Sequence, residues 1–249
     1  VAHAAGVTGE RAGRLRSPLV TRRDPLDWHT ALMLVLTFST GIVDAVGYLG
    51  LDRVFTANMT GNVVILGMAL TGSQDLPIVG PVLALLGFLG GAALVGRVLR
   101  RAATGWTTAS SVVFALVGVV LGALAVVTSL LDGVPVEPGT SPPPAAVLVT
   151  TVLGLAMGGQ AAAARRLGVK DVTTVVVTST LTGLAADSRL AGGTGDGWRR
   201  RLGAVVLILA GAAVGAALLR WHVGAGLALA GLISLVAAWL GHGRAHVGR

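Results

Sequence analysis

The chain has 249 residues, 53% of them hydrophobic and 12% charged, with a mean hydropathy of +0.80. Soluble domains carry about 25% charged residues, so an ordinary soluble domain is excluded and an all-α, polytopic transmembrane helical bundle is expected. Cysteine is absent, which removes disulfides and thiolate metal sites, and the net charge of +8 comes from 18 Arg and one Lys outside the apolar runs, a signal of membrane topology rather than of nucleic-acid binding.

Residues 1–27 are rich in Arg, Ala and Gly and lack an apolar core followed by a cleavage site, so they read as a disordered cytoplasmic tail and not as a signal peptide. Apolar runs then fall at 29–50, 54–71, 78–96, 110–131, 145–164, 172–186, 202–219 and 223–241. Most approach the roughly 20 residues that a spanning helix needs. The second and sixth are short, and the sixth, of about 15 residues, reaches roughly 22 Å, less than a hydrocarbon core of roughly 30 Å. The Pro-rich stretch 132–144 separates a first membrane repeat, 28–131, from a second, 145–241, and 242–249 forms a second cytoplasmic tail.

The halves match with a drifting offset: Gly41 on Gly158, Thr60 on Thr180, and Gly87 and Gly91 on Gly211 and Gly215. One long repetition of this kind is an internal duplication of the sort found in transporters and channels. The basic residues discriminate between two topologies, because cytoplasmic loops hold most Lys and Arg. Eight spans with parallel repeats put 11 of the 19 inside and 8 outside, hardly a bias. If the second and sixth runs instead enter and leave on one side, 17 lie inside and only Arg53 and Arg220 outside. This favours about six spans plus two short broken or re-entrant helices. With three spans per half, the two repeats are inverted. Position 73 is then outside and 195 inside, whereas eight spans put both inside.

Polar side chains inside the runs mark the candidate site. Asp44 is the only ionisable residue well within an apolar run, and an intramembrane carboxylate costs about 2.5 kcal/mol or more. It lies some 24 Å along a helix starting near Trp28, so a structural carboxylate, or one solvated near the interface, competes evenly with a substrate or proton site. Gln160 sits at a similar depth in the fifth run, with an interhelical hydrogen bond as its structural reading. In the segment FTANMTGNVVIL, residues 55–66, Asn58, Thr60 and Asn62 recur at every second position. A continuous helix would split them across its faces, whereas a break at Gly61 would turn all three toward one cavity. Thr178, Thr180 and Thr182 repeat the spacing in the second half, with Gly183 as the matching break; the alternative for threonine is a bond to a carbonyl one turn back. The pairs Gly87–Gly91, Gly118–Gly122, Gly154–Gly158 and Gly211–Gly215 suit close helix contacts. Trp28, Trp106, Trp198 and Trp221 read as interfacial anchors. No metal-ligand or nucleotide-binding spacing occurs, so no metal and no cofactor are expected.

The run GIVDAVGYLGLDRVFTANMTGNVVILG, with its Gly-x-x-Asp and Phe-x-x-Asn-x-Thr-Gly-Asn core, resembles the YoaK family of bacterial integral membrane proteins, classed as a domain of unknown function. The segment GLAMGGQAAAARRLGVKDVTTVVVTSTLTGL resembles that family's other characteristic block. The resemblance covers residues 30–240. It implies an inner-membrane location and six or so spans, and no substrate. Ala161 stands where relatives often carry Asn and Leu181 where they often carry Gly, which weakens the polar character expected of the second half.

The leading expectation is a secondary transporter or channel for a small solute, with Asp44 as the coupling or cation-contacting group. Asn58, Thr60, Asn62, Gln160, Thr178, Thr180 and Thr182 would supply hydrogen bonds. A non-transporting scaffold or accessory subunit is the alternative, and an enzyme is not expected, since one carboxylate is too few for paired acid–base work. The partners expected are the lipid bilayer and a small molecule or ion of undetermined identity, not nucleic acid; a homo-oligomer is compatible with the chain.

Overall fold

The structure is a computed structural model that describes residues 27–72, 76–131, 142–168 and 177–247. The expected N-terminal tail up to residue 26, and most of the Pro-rich loop, lie outside the described residues. The described residues form eight α-helices: α1 (Trp28–Gly50), α2 (Met59–Ala69), α3 (Val79–Leu99), α4 (Thr108–Leu130), α5 (Pro144–Leu167), α6 (Val177–Ala186), α7 (Trp198–Leu218) and α8 (Val223–Val247). A 3-10 turn, Arg189–Ala191, separates α6 from α7. Local chemistry sets several boundaries. Thr107 caps α4 by accepting from the Ser110 amide, Pro144 opens α5, and Gly168 closes α5 in the left-handed conformation.

Six helices, α1, α3, α4, α5, α7 and α8, are long and apolar enough to cross a membrane, while α2 and α6 have only 11 and 10 residues. At 1.5 Å per residue the short pair reach roughly half of a hydrocarbon core of about 30 Å. The expected bundle of six long helices with two short ones is therefore present. Helix α8 runs to Val247, so positions 242–247, expected as a tail, are helical. Trp106 is not an interfacial anchor: it is buried, donates from Nε1 to Ser111 Oγ at 2.8 Å and packs where Gly241 leaves room.

Helix packing rests on backbone-to-backbone contact at glycine. On α7, Gly211 and Gly215 face the carbonyls of Phe38 and Ile42, and Gly41 faces that of Ile208. Residue numbers rise together, so α1 and α7 are parallel. On α3, Gly87 and Gly91 face the carbonyls of Thr151 and Leu155, while Gly154 faces that of Ala84, so α3 and α5 are also parallel. The α4–α8 contact is reciprocal: a Cβ on Gly118 would come 2.8 Å from the Gly231 carbonyl oxygen, and one on Gly231 would come 2.8 Å from that of Gly118. Gly224 meets Ala125 and Gly241 meets Trp106, so α4 and α8 run antiparallel.

These neighbours are unchanged when the two halves are exchanged. The α1–α7 contact becomes α5–α3, α1–α8 becomes α5–α4, α2–α3 becomes α6–α7, and α4–α8 maps onto itself. Three glycine contacts set the register: Gly41 on Ile208 matches Gly154 on Ala84, Gly211 on Phe38 matches Gly87 on Thr151, and Gly215 on Ile42 matches Gly91 on Leu155. Gly41 thus corresponds to Gly154. The sequence match to Gly158 is displaced by one helical turn, because a Gly-x-x-x-Gly pair offers two equivalent alignments and only contact separates them.

Among the described residues, basic side chains gather at one end of the bundle. Arg97, Arg165 and Arg166 lie in the last turns of α3 and α5, and Arg199, Arg200 and Arg201 in the first turn of α7. Arg166 donates to the Ala102 carbonyl at 2.6 Å, joining the ends of α5 and α3. Arg53 and Arg220 stand at the other end, beside the ends of α1 and α7.

Gly211→Val and Gly91→Val should each lower stability by about 1–3 kcal/mol or more, since overpacking a close contact has that cost, and here the obstacle is backbone. Gly67→Ala and Gly90→Ala, where an added methyl meets nothing within 4 Å, should leave the melting temperature unchanged. Thermal unfolding of the purified variants, monitored with size-exclusion profiles, checks both halves of this expectation.

Candidate functional site

The site is built where the chain turns back at the end of α1. Gly47 has no Cβ, which would otherwise come 2.5 Å from the Val54 carbonyl oxygen, so residues 51–57 fold along α1 and the Val54 amide donates to the Gly47 carbonyl at 3.3 Å. Val54, Thr56 and Ala57 are buried. Non-helical backbone at membrane depth must have its polar groups satisfied within the protein, and three side chains do this. Asp44 Oδ1 accepts from the Thr56 amide at 2.9 Å and from the Ala57 amide at 2.8 Å. Asn62 brackets the backbone of Phe55, accepting from its amide at 2.9 Å and donating to its carbonyl at 2.6 Å. Asn58 caps α2 by accepting from the Gly61 amide at 3.4 Å.

A cavity of about 540 Å³ opens beside this segment. Asp44 and Tyr48 form its α1 wall; Asn58, Thr60 and Gly61 come from the start of α2, Thr178 from the start of α6, and Phe88 and Ile208 from α3 and α7. The Tyr48 and Phe55 rings stack at 4.8 Å on its rim. The start of α2 and the first described turn of α6 lie at this cavity. They then diverge: α2 leads toward the start of α3, and α6 toward the basic end, where Arg201 donates to Asp187 at 2.7 Å and to the Gly183 carbonyl at 2.6 Å.

The structure thus brings together Asp44, Asn58, Thr60, Gly61 and Thr178. Asp44 is 9% exposed and lies under the folded-back segment whose amides it binds, the structural use of this carboxylate, while it also lines the cavity. The remaining candidates are used elsewhere. Asn62 is fully buried and turned toward Phe55, away from the cavity, because α2 is continuous through Gly61 and splits alternate residues between its faces. The break lies before Met59, not at Gly61, which makes room for the Phe55 ring. Gln160 donates from Nε2 to Thr40 Oγ1 at 3.3 Å, an interhelical bond between α5 and α1. Thr180 is buried and does not line the cavity. Thr182 is bonded to the Thr178 carbonyl at 2.9 Å, one turn back on its own helix. Gly183 lies inside α6 and is no break; its missing side chain admits the Arg201 guanidinium.

Burial also corrects the pairing of the short helices. Asn62 is buried on α2 and Thr180 on α6, so Thr60 corresponds to Thr178, two positions earlier than the sequence match to Thr180. Both members of that pair line the cavity. Tyr48, Phe88 and Ile208 were not anticipated. Tyr48, the only tyrosine in the chain, follows Asp44 by one helical turn and was legible from that spacing. Phe88 and Ile208 carried no signal apart from their apolar runs.

Six long apolar helices, with two short ones meeting at a cavity that holds a few polar groups, define a multi-pass integral membrane protein. The family described as "Protein of unknown function (DUF1275)" matches residues 32–240, and the chain belongs to it. Over 161 residues it is 33% identical to the UPF0700 transmembrane protein YoaK of Bacillus subtilis (strain 168), an alignment covering 64% of this chain and 67% of that protein. No solved structure matches significantly.

Asn62→Leu should be strongly destabilising, since it leaves the Phe55 amide and carbonyl unpaired at about 1–3 kcal/mol each. Thr182→Val removes only a bond within an exposed turn and should be neutral within about 0.5 kcal/mol. Comparing the thermal stabilities of the two purified variants separates a structural Asn62 from one that contacts solute.

Proposed function

We propose that the protein is a secondary transporter or channel for a small solute in the bacterial inner membrane, with its binding site in the cavity where α2 and α6 begin. The observation that carries this reading is the convergence on one polar cavity of a buried carboxylate, Asp44, with Asn58, Thr60 and Thr178, contributed by both halves. Polar groups at membrane depth mark solute and ion pathways, and discontinuous segments meeting near the midplane are where transporters place their sites. The cavity volume falls within the roughly 300–1,000 Å³ of small-molecule sites. Asp44 is the single carboxylate among the described lining residues, which supports binding and transport over acid–base catalysis by paired carboxylates.

The two halves are proposed to be inverted repeats, with both termini cytoplasmic. Two observations support this. The reciprocal, antiparallel α4–α8 contact fits a two-fold axis lying in the membrane plane, whereas eight successive spans would make these helices parallel. The basic end then faces the cytoplasm by the positive-inside rule. In an otherwise Cys-free chain, Leu70→Cys should react with a membrane-impermeant maleimide from outside and Leu190→Cys only after the membrane is opened; both are highly exposed. Equal protection of the two from outside would support eight spans.

A scaffold reading draws on a specific observation as well, the use of Asp44 to tie residues 56 and 57 to α1. Reconstituted Asp44→Asn and Thr178→Val variants decide between them. Transport predicts folded protein in both cases, with solute flux reduced at least tenfold in Asp44→Asn and measurably in Thr178→Val. Normal flux in both, or loss of folded protein in both, supports a structural role.

A further inference from the structure

We propose that the cavity binds a small organic ammonium ion: a protonated amine directed at Asp44, carrying an apolar body about the size of one aromatic ring. The inference rests on the site assigned above and adds the chemical class of its occupant.

The sign of the charge follows from how the start of α2 is used. A helix N-terminus ordinarily attracts anions through unpaired amides. Here the amides of Phe55, Thr56, Ala57 and Gly61 are already bound by Asn62, Asp44 and Asn58. Asp44 is in effect the anion of that helix. An incoming anion would meet a carboxylate and no Lys or Arg among the described lining residues. Asp44 Oδ1 takes the amides of Thr56 and Ala57, and the Asn58 amide and the Thr56 side chain also face this carboxylate, so an ammonium would join donors that already gather around it.

Size and lining exclude a bare metal ion. Dehydrated calcium and magnesium ions need six or more oxygen ligands at about 2.0–2.6 Å. A cavity of about 540 Å³ walled largely by Met59, Val64, Ile65, Phe88, Val177 and Ile208 is too wide and too apolar. Those walls suit an apolar body, and the stacked Tyr48 and Phe55 rings at the rim offer the faces that attract ammonium groups. Thr60 and Thr178, one from each half, lie within the same cavity to accept the remaining N–H donors.

The test is equilibrium binding to the purified full chain in nanodiscs, by titration calorimetry. The probes are phenethylammonium, its isosteric neutral alcohol 2-phenylethanol, 3-phenylpropionate, and sodium chloride. The ammonium should bind at least tenfold more tightly than the alcohol, with no measurable binding of the carboxylate or sodium. Asp44→Asn keeps an amide oxygen that can accept from residues 56 and 57, so it should fold and lose that preference. Should it fail to fold, Phe88→Ala serves instead and should weaken ammonium binding several-fold. Preference for the carboxylate, equal binding of alcohol and ammonium, or an ammonium preference that survives Asp44→Asn overturns the proposal. Flux in proteoliposomes separates the two readings. Ammonium binding without flux of that ammonium retains the site and removes transport. Flux of a neutral or anionic solute without ammonium binding does the reverse.

Discussion

The bond from Asp44 Oδ1 to the amides of Thr56 and Ala57 is the constraint on which the site depends. Residues 51–58 must pass from the end of α1 to the start of α2 without helical hydrogen bonds, inside a structure with little water to satisfy them. Hydrogen bonds to a charged acceptor contribute about 1.5–3 kcal/mol each, enough to offset much of the cost of burying one carboxylate. Without such a partner, α2 would have to continue directly from α1, and no half-length helix would start at the cavity. Asn62 acts in the same way one turn further on, by pairing with both polar groups of Phe55. Two residues that look like solute ligands in a hydropathy plot therefore differ: Asn62 is wholly committed to backbone, while Asp44 holds backbone and still faces the cavity.

Glycine carries the rest of the architecture. Apolar side chains gain little from packing against one another in lipid, so helix association depends on close approach and dispersion contacts. The parallel pairs α1–α7 and α3–α5, and the antiparallel pair α4–α8, meet through glycine faces on which a methyl group would strike a carbonyl. Such contacts tie chain segments far apart in sequence into fixed pairs. The short helices are held differently, α2 against α3 and α6 against α7, and each is joined to the long helices by few contacts beyond its own polar anchor.

Much of this was legible in the sequence because it follows from hydrophobic length and charge placement. Runs two and six are among the shortest, and the Arg residues gather at one end once those runs are allowed to return to their own side. The polarity of residues 55–62 located the cavity. What could not be read was register and direction. A Gly-x-x-x-Gly pair aligns equally well one turn away, which is why Gly41 matched Gly158 in sequence and corresponds to Gly154 in contact. Alternating Asn and Thr residues suggested a break at Gly61, yet an N-cap at Asn58 starts the helix before it. The walls supplied by Phe88 and Ile208 come from distant apolar helices, whose facing only packing decides.

The corrected register exposes an asymmetry that bears on function. The position in α5 that corresponds to Asp44, at the same spacing that pairs Gly41 with Gly154, is Met157, a buried apolar side chain. The position corresponding to Thr60 is Thr178, and both hydroxyl residues are kept in the cavity. Across the two halves the neutral hydroxyl residues are matched at the cavity, while the charge belongs to the first half alone. A carboxylate contributed from both sides would place two like charges in one small cavity, and one of them would have to stay protonated. With a single acid, the charge of the site is set by one side chain. That acid is bonded to the lead-in of α2, so a solute held by it would meet α6 only through the neutral side chain of Thr178.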